Sequence, residues 1–166
     1  MSRDVVASTR EAPDLDGRGL RVAVACARFN DHVTLRLLEG VRRGLAECHV
    51  DDGDVTEVWV PGAFELPLIA KTFAASGEVD AVICLGCVMR GETAHFEHVA
   101  GQAATGILRA ALDTGVPVVF GVLTTEDLDQ ALARSEGPDG ENAGHEGART
   151  AVEMARLVTS ISKLRR

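Results

Sequence analysis

Four short apolar runs in this chain are each followed by a stretch in which apolar residues recur every three or four positions. The runs cover residues 20–27, 55–60, 79–85 and 117–123. Runs of this length, bounded by turn residues, predict buried strands, and the periodic stretches predict amphipathic helices. Strands that alternate with helices form a parallel sheet covered on both faces. The sequence therefore predicts one α/β domain of doubly wound type, with three α/β/α layers around a four-stranded, mainly parallel sheet.

The predicted helices begin after short polar turns. The first starts at Asn30 or Asp31, the second covers residues 63–75, and the third starts near Thr93. The fourth runs to about Arg134, and the last spans residues 148–164. Thr124 and Asp127 predict a capping box for the fourth helix, and the stretch 137–147, rich in glycine, predicts a loop. Residues 1–19 show no periodicity. We expect them to form a flexible N-terminal arm ahead of a domain over residues 20–166.

Composition limits the partners of such a domain. The chain has 166 residues, of which 46% are hydrophobic, and a net charge of −8. One domain of this size can bury a proper core. Scattered acidic residues without a basic block argue against a nucleic acid or an anionic membrane as partner. The sequence has neither a membrane-span pattern nor a secretory signal, so we expect a cytoplasmic location.

Three of the four cysteines lie within or at the end of strand-like runs, which favours small buried hydrophobes over disulfides. The four are Cys26, Cys48, Cys84 and Cys87. Cys84 and Cys87 have the spacing of a redox motif. However, residues three apart in a strand point to opposite faces of the sheet, which argues against a redox or zinc role.

The most unusual segment is GCVMRGETAHFEH at residues 86–98, between a predicted strand and a predicted helix. We interpret it as a turn whose free backbone N–H groups at Glu92, Thr93 and Ala94 attract an anion such as phosphate or carboxylate. His95 falls in the first helical turn, where its imidazole could exchange a proton with a ligand held there. One segment thus predicts both an anion site and an acid/base group.

Other polar or aromatic residues follow the predicted strands, and each has a simpler explanation as well. Phe29 could stack on a planar ring or staple the next helix. Glu65 could bind polyol hydroxyls or complement a helix dipole. Arg134 could contact an anion, or could simply be a favourable cation at a helix end. Arg90 could also contact an anion, or could pair within a subunit interface.

His95 and His98 lie three apart on the predicted helix and could bind a metal together with Glu92 or Glu97. No third ligand has a familiar spacing, so we predict no metal site. A metal-dependent hydrolase that uses the two histidines remains an alternative.

Five stretches in order resemble the lumazine synthase family. They are RFN at 28–30, PGAFELP at 61–67, GCVMRGETAHFEHV at 86–99, FGVLTTE at 120–126, and the arginine at 134. The combination is specific, whereas no single stretch is. The resemblance implies a flavodoxin-like fold and condensation of 5-amino-6-(ribitylamino)uracil with 3,4-dihydroxy-2-butanone 4-phosphate, with release of phosphate and water. It implies no metal, no redox cofactor and no protein nucleophile.

The resemblance also assigns roles to residues. His95 would transfer protons, Phe29 would stack on the ring, Asn30 would lie beside Phe29 in the polyol region, and Glu65 would bind the ribityl hydroxyls. The other implied substrate-binding residues are Ala63, Phe64, Cys87, Val88, Met89, Glu92, Thr93, Phe120 from a neighbouring subunit, and Arg134 at the phosphate. A non-catalytic flavin or lumazine carrier on the same scaffold is the alternative function.

Two departures from the family pattern concern the stretch before the last helix. Where members often carry a lysine near the phosphate, this chain reads NAGHEG at 142–147. Either His145 replaces that lysine, or phosphate affinity depends on Arg134 and the backbone. The loop from 135 to 147 is also longer than in members that build icosahedral shells. We therefore predict a homopentamer with sites between subunits.

Overall fold

The computed structural model describes residues 12–164, in which a four-stranded parallel sheet is covered by helices on both faces. The strands are β1 (Val22–Ala27), β2 (Val55–Val60), β3 (Ala81–Met89) and β4 (Val118–Thr125). The helices are α1 (Asp31–Glu47), α2 (Leu66–Ala75), α3 (His95–Thr114), α4 (Leu128–Ala133) and α5 (Ala143–Lys163), with short 3₁₀ turns at Asp52–Asp54 and Ala63–Glu65. The strand order is β2-β1-β3-β4, and every pair is parallel. The predicted fold class is confirmed.

Each face of the sheet carries its own core. Val24, Ile83 and Leu85 pack against α1 and α5, whereas Ala25, Val82 and Cys84 pack against α2 and α3. The central strands β1 and β3 are buried on both faces and read as continuous apolar runs, as expected for parallel strands between helices. No helix within residues 12–164 is long and apolar enough to cross a membrane.

Cys84 and Cys87 point to opposite faces of β3, as the strand geometry predicts. Cys84 belongs to the core beneath α2 and α3, and Cys87 to the core beneath α1 and α5. All four cysteines are buried and unpaired. The redox reading of the C-x-x-C spacing therefore has no geometric support.

Strands β3 and β4 extend further than the sequence indicated. The segment 86–98 was expected to be mostly turn, but β3 continues to Met89, so the turn comprises only residues 90–94. Likewise β4 ends at Thr125, two residues beyond the predicted run, and Phe120 lies inside the strand. The pairing of the two strands explains both differences, since Gly86 to Met89 lie in register with Val122 to Thr125.

Two helix starts differ in detail from the prediction. The helix over 63–75 begins with a 3₁₀ turn and becomes α-helical only at Leu66. The last helix begins at Ala143 rather than 148, because the Asn142 side chain caps it by accepting from the N–H groups of Gly144 and His145 at 2.9 and 3.1 Å. The fourth helix is capped by Asp127 alone, whose carboxylate accepts from Gln130 N–H at 2.8 Å.

Glycines in α1 and α5 let these two helices approach closely. A Cβ at Gly144 would overlap the carbonyl oxygen of Leu37, and one at Gly44 would lie 2.7 Å from the Ala148 Cβ. Small residues at a crossing point bring helix backbones together. Gly144, one of the glycines that suggested a loop, therefore serves helix packing.

The predicted N-terminal arm lies outside the described residues up to residue 11. Beyond it, Gly17 donates its N–H to the Cys48 carbonyl at 2.6 Å, and Leu15 packs against the core. The Arg156 guanidinium on α5 donates to the carbonyls of Asp16 and Arg18. The described part of this segment, which we had expected to be flexible, is thus attached to the domain.

Candidate active site at the ends of β1 and β3

A crevice forms between the carboxyl ends of β1 and β3, where the strand order reverses. Strand β2 lies on one side of β1 and β3 on the other. Such a reversal of strand order is where doubly wound folds bind ligands. The pairing of β1 with β3 stops at Cys26 and Leu85, while β3 continues to Met89 along β4. The main chain at the end of β3 therefore has one edge that β1 does not cover.

A cavity of about 490 Å³ lies in this crevice. Its walls come from the turn after β1, the turn after β2, the end of β3 and the first turns of α3. The lining residues are Phe29, Asn30, Gly62, Ala63, Phe64, Glu65, Cys87, Val88, Met89, His95, His98 and Val99. Nine residues predicted from the sequence are among them: Phe29, Asn30, Ala63, Phe64, Glu65, Cys87, Val88, Met89 and His95.

Phe29 and Glu65 both lie over Gly62. A Cβ on Gly62 would stand 3.1 Å from the Phe29 ring and 3.3 Å from the Glu65 carboxylate oxygen Oε2. Phe29 is 74% exposed and Phe64 is 56% exposed, although both are aromatic. An aromatic ring left in water at a cavity mouth is available for stacking on a planar ligand. Glycine at 62 leaves the space that this arrangement needs.

The carboxylate of Glu65 is not used to cap the helix that it precedes. Glu65 is exposed and occupies the N-cap position of α2, where its side chain makes no capping hydrogen bond within the described residues. The dipole of α2 therefore explains why a negative charge lies at its start, but it does not give the Glu65 carboxylate a hydrogen-bond partner. A carboxylate at the cavity wall is also a hydrogen-bond acceptor for hydroxyl groups.

Asn30 connects the two strand ends. Its backbone is left-handed, with φ of 59°, and its side-chain Nδ2 donates to the Cys87 carbonyl oxygen at 2.8 Å. Asparagine tolerates this conformation better than most residues. The amide thus joins the turn that carries Phe29 to the overhanging end of β3.

His95 is the first residue of α3, and its N-cap residue is Ala94. Among the described residues, Ala94 makes no side-chain capping hydrogen bond, and the Thr93 hydroxyl lies 3.4 Å from the His95 backbone nitrogen. The N–H groups of a first helical turn carry a partial positive charge. An imidazole and an anion-attracting helix end therefore adjoin the same cavity.

Four predicted site residues do not line this cavity: Glu92, Thr93, Phe120 and Arg134. Glu92 and Thr93 lie in the turn just before α3. Phe120 is 42% exposed on the edge strand β4 and lines a different surface groove. Arg134 is half-buried after α4, where its Nη1 donates to the Gln130 carbonyl at 2.9 Å.

His145 does not reach the cavity either, although it matched the position of a phosphate-binding lysine. Its Nε2 lies 2.8 Å from the Glu47 carboxylate of α1, and its Nδ1 lies 3.4 Å from Glu146. Two carboxylates surround this imidazole. Within the single chain, His145 therefore belongs to the contact between α1 and α5.

Sequence reasoning missed Gly62, His98 and Val99 as cavity residues. His98 follows His95 by one helical turn, so the spacing alone could have placed both on one face. Gly62 precedes Ala63 in the same predicted turn. Within residues 12–164, no group of three His, Cys, Asp or Glu side chains is arranged to hold a metal ion.

Cys87 reaches the cavity wall but is poorly suited to act as a nucleophile. Burial raises the pKa of its thiol, and a hydrogen bond with Thr125 offsets only part of that shift. Burial also raises the pKa of the Cys84 thiol, in this case to about 12. Both side chains are thiols rather than thiolates at neutral pH.

Comparison with known proteins identifies the family. The sequence model of the 6,7-dimethyl-8-ribityllumazine synthase family matches residues 19–159. The chain belongs to this family. Curated lumazine synthases from two strains of Thermus thermophilus are each 51% identical to it over 152 residues, which cover 92% of this chain and 96% of the relative. The resemblance to the lumazine synthase family seen in the sequence motifs is confirmed.

Proposed function

We propose that this chain catalyses the lumazine synthase reaction of riboflavin biosynthesis in the cavity between β1, β3 and α3. The enzyme, a transferase, condenses 5-amino-6-(ribitylamino)uracil with 3,4-dihydroxy-2-butanone 4-phosphate and gives 6,7-dimethyl-8-ribityllumazine, phosphate and water. Family membership supports the reaction. The observation that carries the location is the convergence of an exposed ring, a free carboxylate, an open main-chain edge and an imidazole on one cavity.

The uracil and its ribityl chain fit the side of the cavity formed by β1, β2 and β3. Phe29 offers an exposed face for stacking on the pyrimidine. The main chain of Cys87 to Met89 offers hydrogen-bonding groups for the polar edge of that ring. Glu65 accepts hydrogen bonds from the ribityl hydroxyls, with Ala63 and Phe64 beside it.

The butanone phosphate fits the other side, at the start of α3. The backbone N–H groups of Glu92 and Thr93 bind its phosphate, and Arg134 adds a guanidinium. Phosphate bound there brings the ketone close to the amine of the uracil, and the alignment of two substrates lowers the entropic part of the barrier.

His95 transfers the protons of the reaction. The substrate amine attacks the ketone, water leaves to give an imine, phosphate is then eliminated, and the ring closes with loss of a second water. Each stage moves a proton, and a positioned acid or base typically contributes about 10²- to 10⁴-fold. The amine of the substrate is itself the nucleophile, so the poor reactivity of Cys87 is consistent with this scheme.

We further propose that the site is completed by a neighbouring copy in a homopentamer. Phe120 and Arg134 do not line the cavity of their own chain, so they would reach a cavity from an adjacent subunit. Two apolar patches on opposite faces of the domain suit a head-to-tail ring, in which unlike surfaces meet. They consist of Leu68, Leu108 and Leu112 on α2 and α3, and of Met154, Leu157 and Ile161 on α5.

The pentamer interpretation also depends on the connection between α4 and α5. It spans residues 134–142, which is shorter than the loop predicted from the sequence because α5 begins at Ala143. A bridge between Ser135 and Asn142 closes it. Light scattering should give the mass of five subunits. A particle near a megadalton would contradict the pentamer.

The cytoplasmic location stays a prediction.

The reaction is tested by mixing the purified protein with both substrates and following lumazine fluorescence and phosphate release against a control without enzyme. The control is needed because the substrates can react unaided. We expect acceleration that excess inorganic phosphate abolishes. Absence of acceleration, together with tight binding of riboflavin or lumazine, would instead identify a non-catalytic carrier.

A further inference from the structure

The Arg90 side chain makes three contacts, one with the residue after β4 and two with the first turn of α3. Its Nε donates to the Glu126 carboxylate at 2.8 Å, its Nη1 donates to the Glu97 carboxylate, and its guanidinium lies 4.4 Å from the centre of the Phe96 ring. Its own N–H donates to the Thr125 carbonyl at 2.9 Å. We call this group the Arg90 clamp.

The clamp holds together the elements on both sides of the turn 90–94. Glu126 follows the end of β4, Glu97 and Phe96 belong to the first turn of α3, and Arg90 itself follows the end of β3. The pairing of β3 with β4 ends at Met89 and Thr125, so the clamp is the next connection beyond the sheet. It therefore fixes the start of α3 relative to the strand ends.

The clamp also leaves Arg90 poorly suited to contact a substrate. Hydrogen bonds to Glu97 and Glu126 raise the pKa of Arg90, and the bond to Arg90 lowers the pKa of Glu97. One guanidinium thus serves two carboxylates that lie beside the proposed phosphate site. All three side chains are substantially exposed. Exposed ion pairs of this kind contribute little to global stability, so their effect is expected to be local.

We propose that Arg90 is a positioning residue for the turn 91–94, which it holds in the conformation that binds the substrate phosphate. The inference rests on the proposed function, because it takes the backbone of Glu92 and Thr93 as the phosphate site. Arg90 acts through Glu97 and Glu126 on the backbone, and it does not itself bind the phosphate.

The experiment uses inorganic phosphate as the probe. Its inhibition constant against butanone phosphate is measured for the wild-type protein, for Arg90→Gln, and for a Glu97→Gln, Glu126→Gln double variant. The exposed pair of Lys71 with Asp113, at 3.1 Å on α2 and α3, supplies the control variant Lys71→Gln. The dissociation constant of 6,7-dimethyl-8-ribityllumazine, which carries no phosphate, reports on the rest of the cavity.

We expect Arg90→Gln to raise the phosphate inhibition constant and the KM for butanone phosphate by a similar factor of about tenfold, since small displacements of positioning groups have large effects. For Arg90→Gln, the dissociation constant of the lumazine and the thermal unfolding transition should stay close to the wild-type values. The control variant Lys71→Gln should match the wild type in every assay.

The double variant separates positioning from direct binding. It weakens the hold on the Arg90 guanidinium and removes two negative charges. Both changes would tighten phosphate binding if Arg90 were a direct ligand. The clamp predicts weaker binding instead. Tighter binding in the double variant, or unchanged binding in Arg90→Gln, would overturn the inference while leaving the phosphate site intact. A wild-type protein that phosphate does not inhibit would remove the phosphate site and the role of Arg90 together.

Discussion

The side-chain amide of Asn30 donates a hydrogen bond to the main-chain carbonyl of Cys87, with 2.8 Å between Nδ2 and O. This bond spans the crevice between β1 and β3 and occupies one acceptor at the end of β3. Asn30 was assigned from sequence to the polyol region of a substrate. Its donor already has a protein partner, so we now expect Asn30 to support the site more than to contact the ligand.

Asn30→Gly and Asn30→Ala should separate the two contributions of this residue. Glycine keeps the left-handed backbone and loses the side-chain bond, which should lower the free energy of unfolding by about 1 kcal/mol. Alanine should lose about 1–2 kcal/mol more, because it tolerates φ of 59° poorly. Urea unfolding monitored by circular dichroism measures both. Equal stability of the two variants would show that the backbone conformation costs nothing here.

Gly62→Ala should weaken ligand binding without unfolding the protein. Its φ of −154° is open to any residue, but the added methyl group would stand 3.1 Å from the Phe29 ring and displace it. We expect the dissociation constant of the lumazine to rise about three- to tenfold, the range of a lost aromatic contact. Gly101→Ala, where a Cβ would meet nothing within 4 Å, is the control. Unchanged binding in Gly62→Ala would argue against stacking on Phe29.

Gly144→Ala should destabilise the contact between α1 and α5. The new Cβ would overlap the Leu37 carbonyl, and overpacking of this kind costs about 1–3 kcal/mol. Gly147→Ala is the matched variant in the same helix, since its Cβ would stand 3.4 Å from a Val119 methyl group. Thermal unfolding of both variants tests the difference. If they proved equally stable, the close approach of the helices would not depend on Gly144.

His95→Gln and Arg134→Ala should affect different kinetic constants. Loss of the imidazole should lower kcat by about 10²- to 10⁴-fold and change KM little. Loss of the guanidinium should mainly raise the KM for butanone phosphate. Arg109→Ala, at an exposed position of α3, controls for the loss of a positive charge. A fully active Arg134→Ala would contradict its assignment to the phosphate.

Thiol reagents should fail to label Cys26 and Cys84 in the native protein at pH 8. Burial raises the pKa of each thiol to about 12, so the reactive thiolate is scarce. Unfolded cysteines have a pKa nearer 9, so the stability that these thiols contribute is complete below pH 9 and falls as the pH rises toward 12. Mass spectrometry after iodoacetamide treatment measures the labelling. Fast labelling of either residue in folded protein would disprove the assignment.

The sequence predicted what depends on local pattern. Apolar runs and helical periodicity gave the strands, the layers and the cavity residues Phe29, Glu65 and His95, because strand ends of a parallel sheet meet at one edge. It failed where a distant segment decides the outcome. Helix α5 starts at Ala143 because Asn142 caps it and Gly144 fits against α1, and β3 continues to Met89 because β4 pairs with it. The place of Phe120 and Arg134 depends on assembly, which no local pattern encodes.

The end of β3 faces the cavity with an edge that β1 leaves open, and this edge consists of peptide groups. A ligand read by peptide N–H and C=O groups is recognised by the path of the chain, whatever side chains the strand carries. Val88 and Met89 could therefore change over evolutionary time with little change in specificity. Substitutions that shift the strand itself, such as a proline that removes an N–H, would not be tolerated.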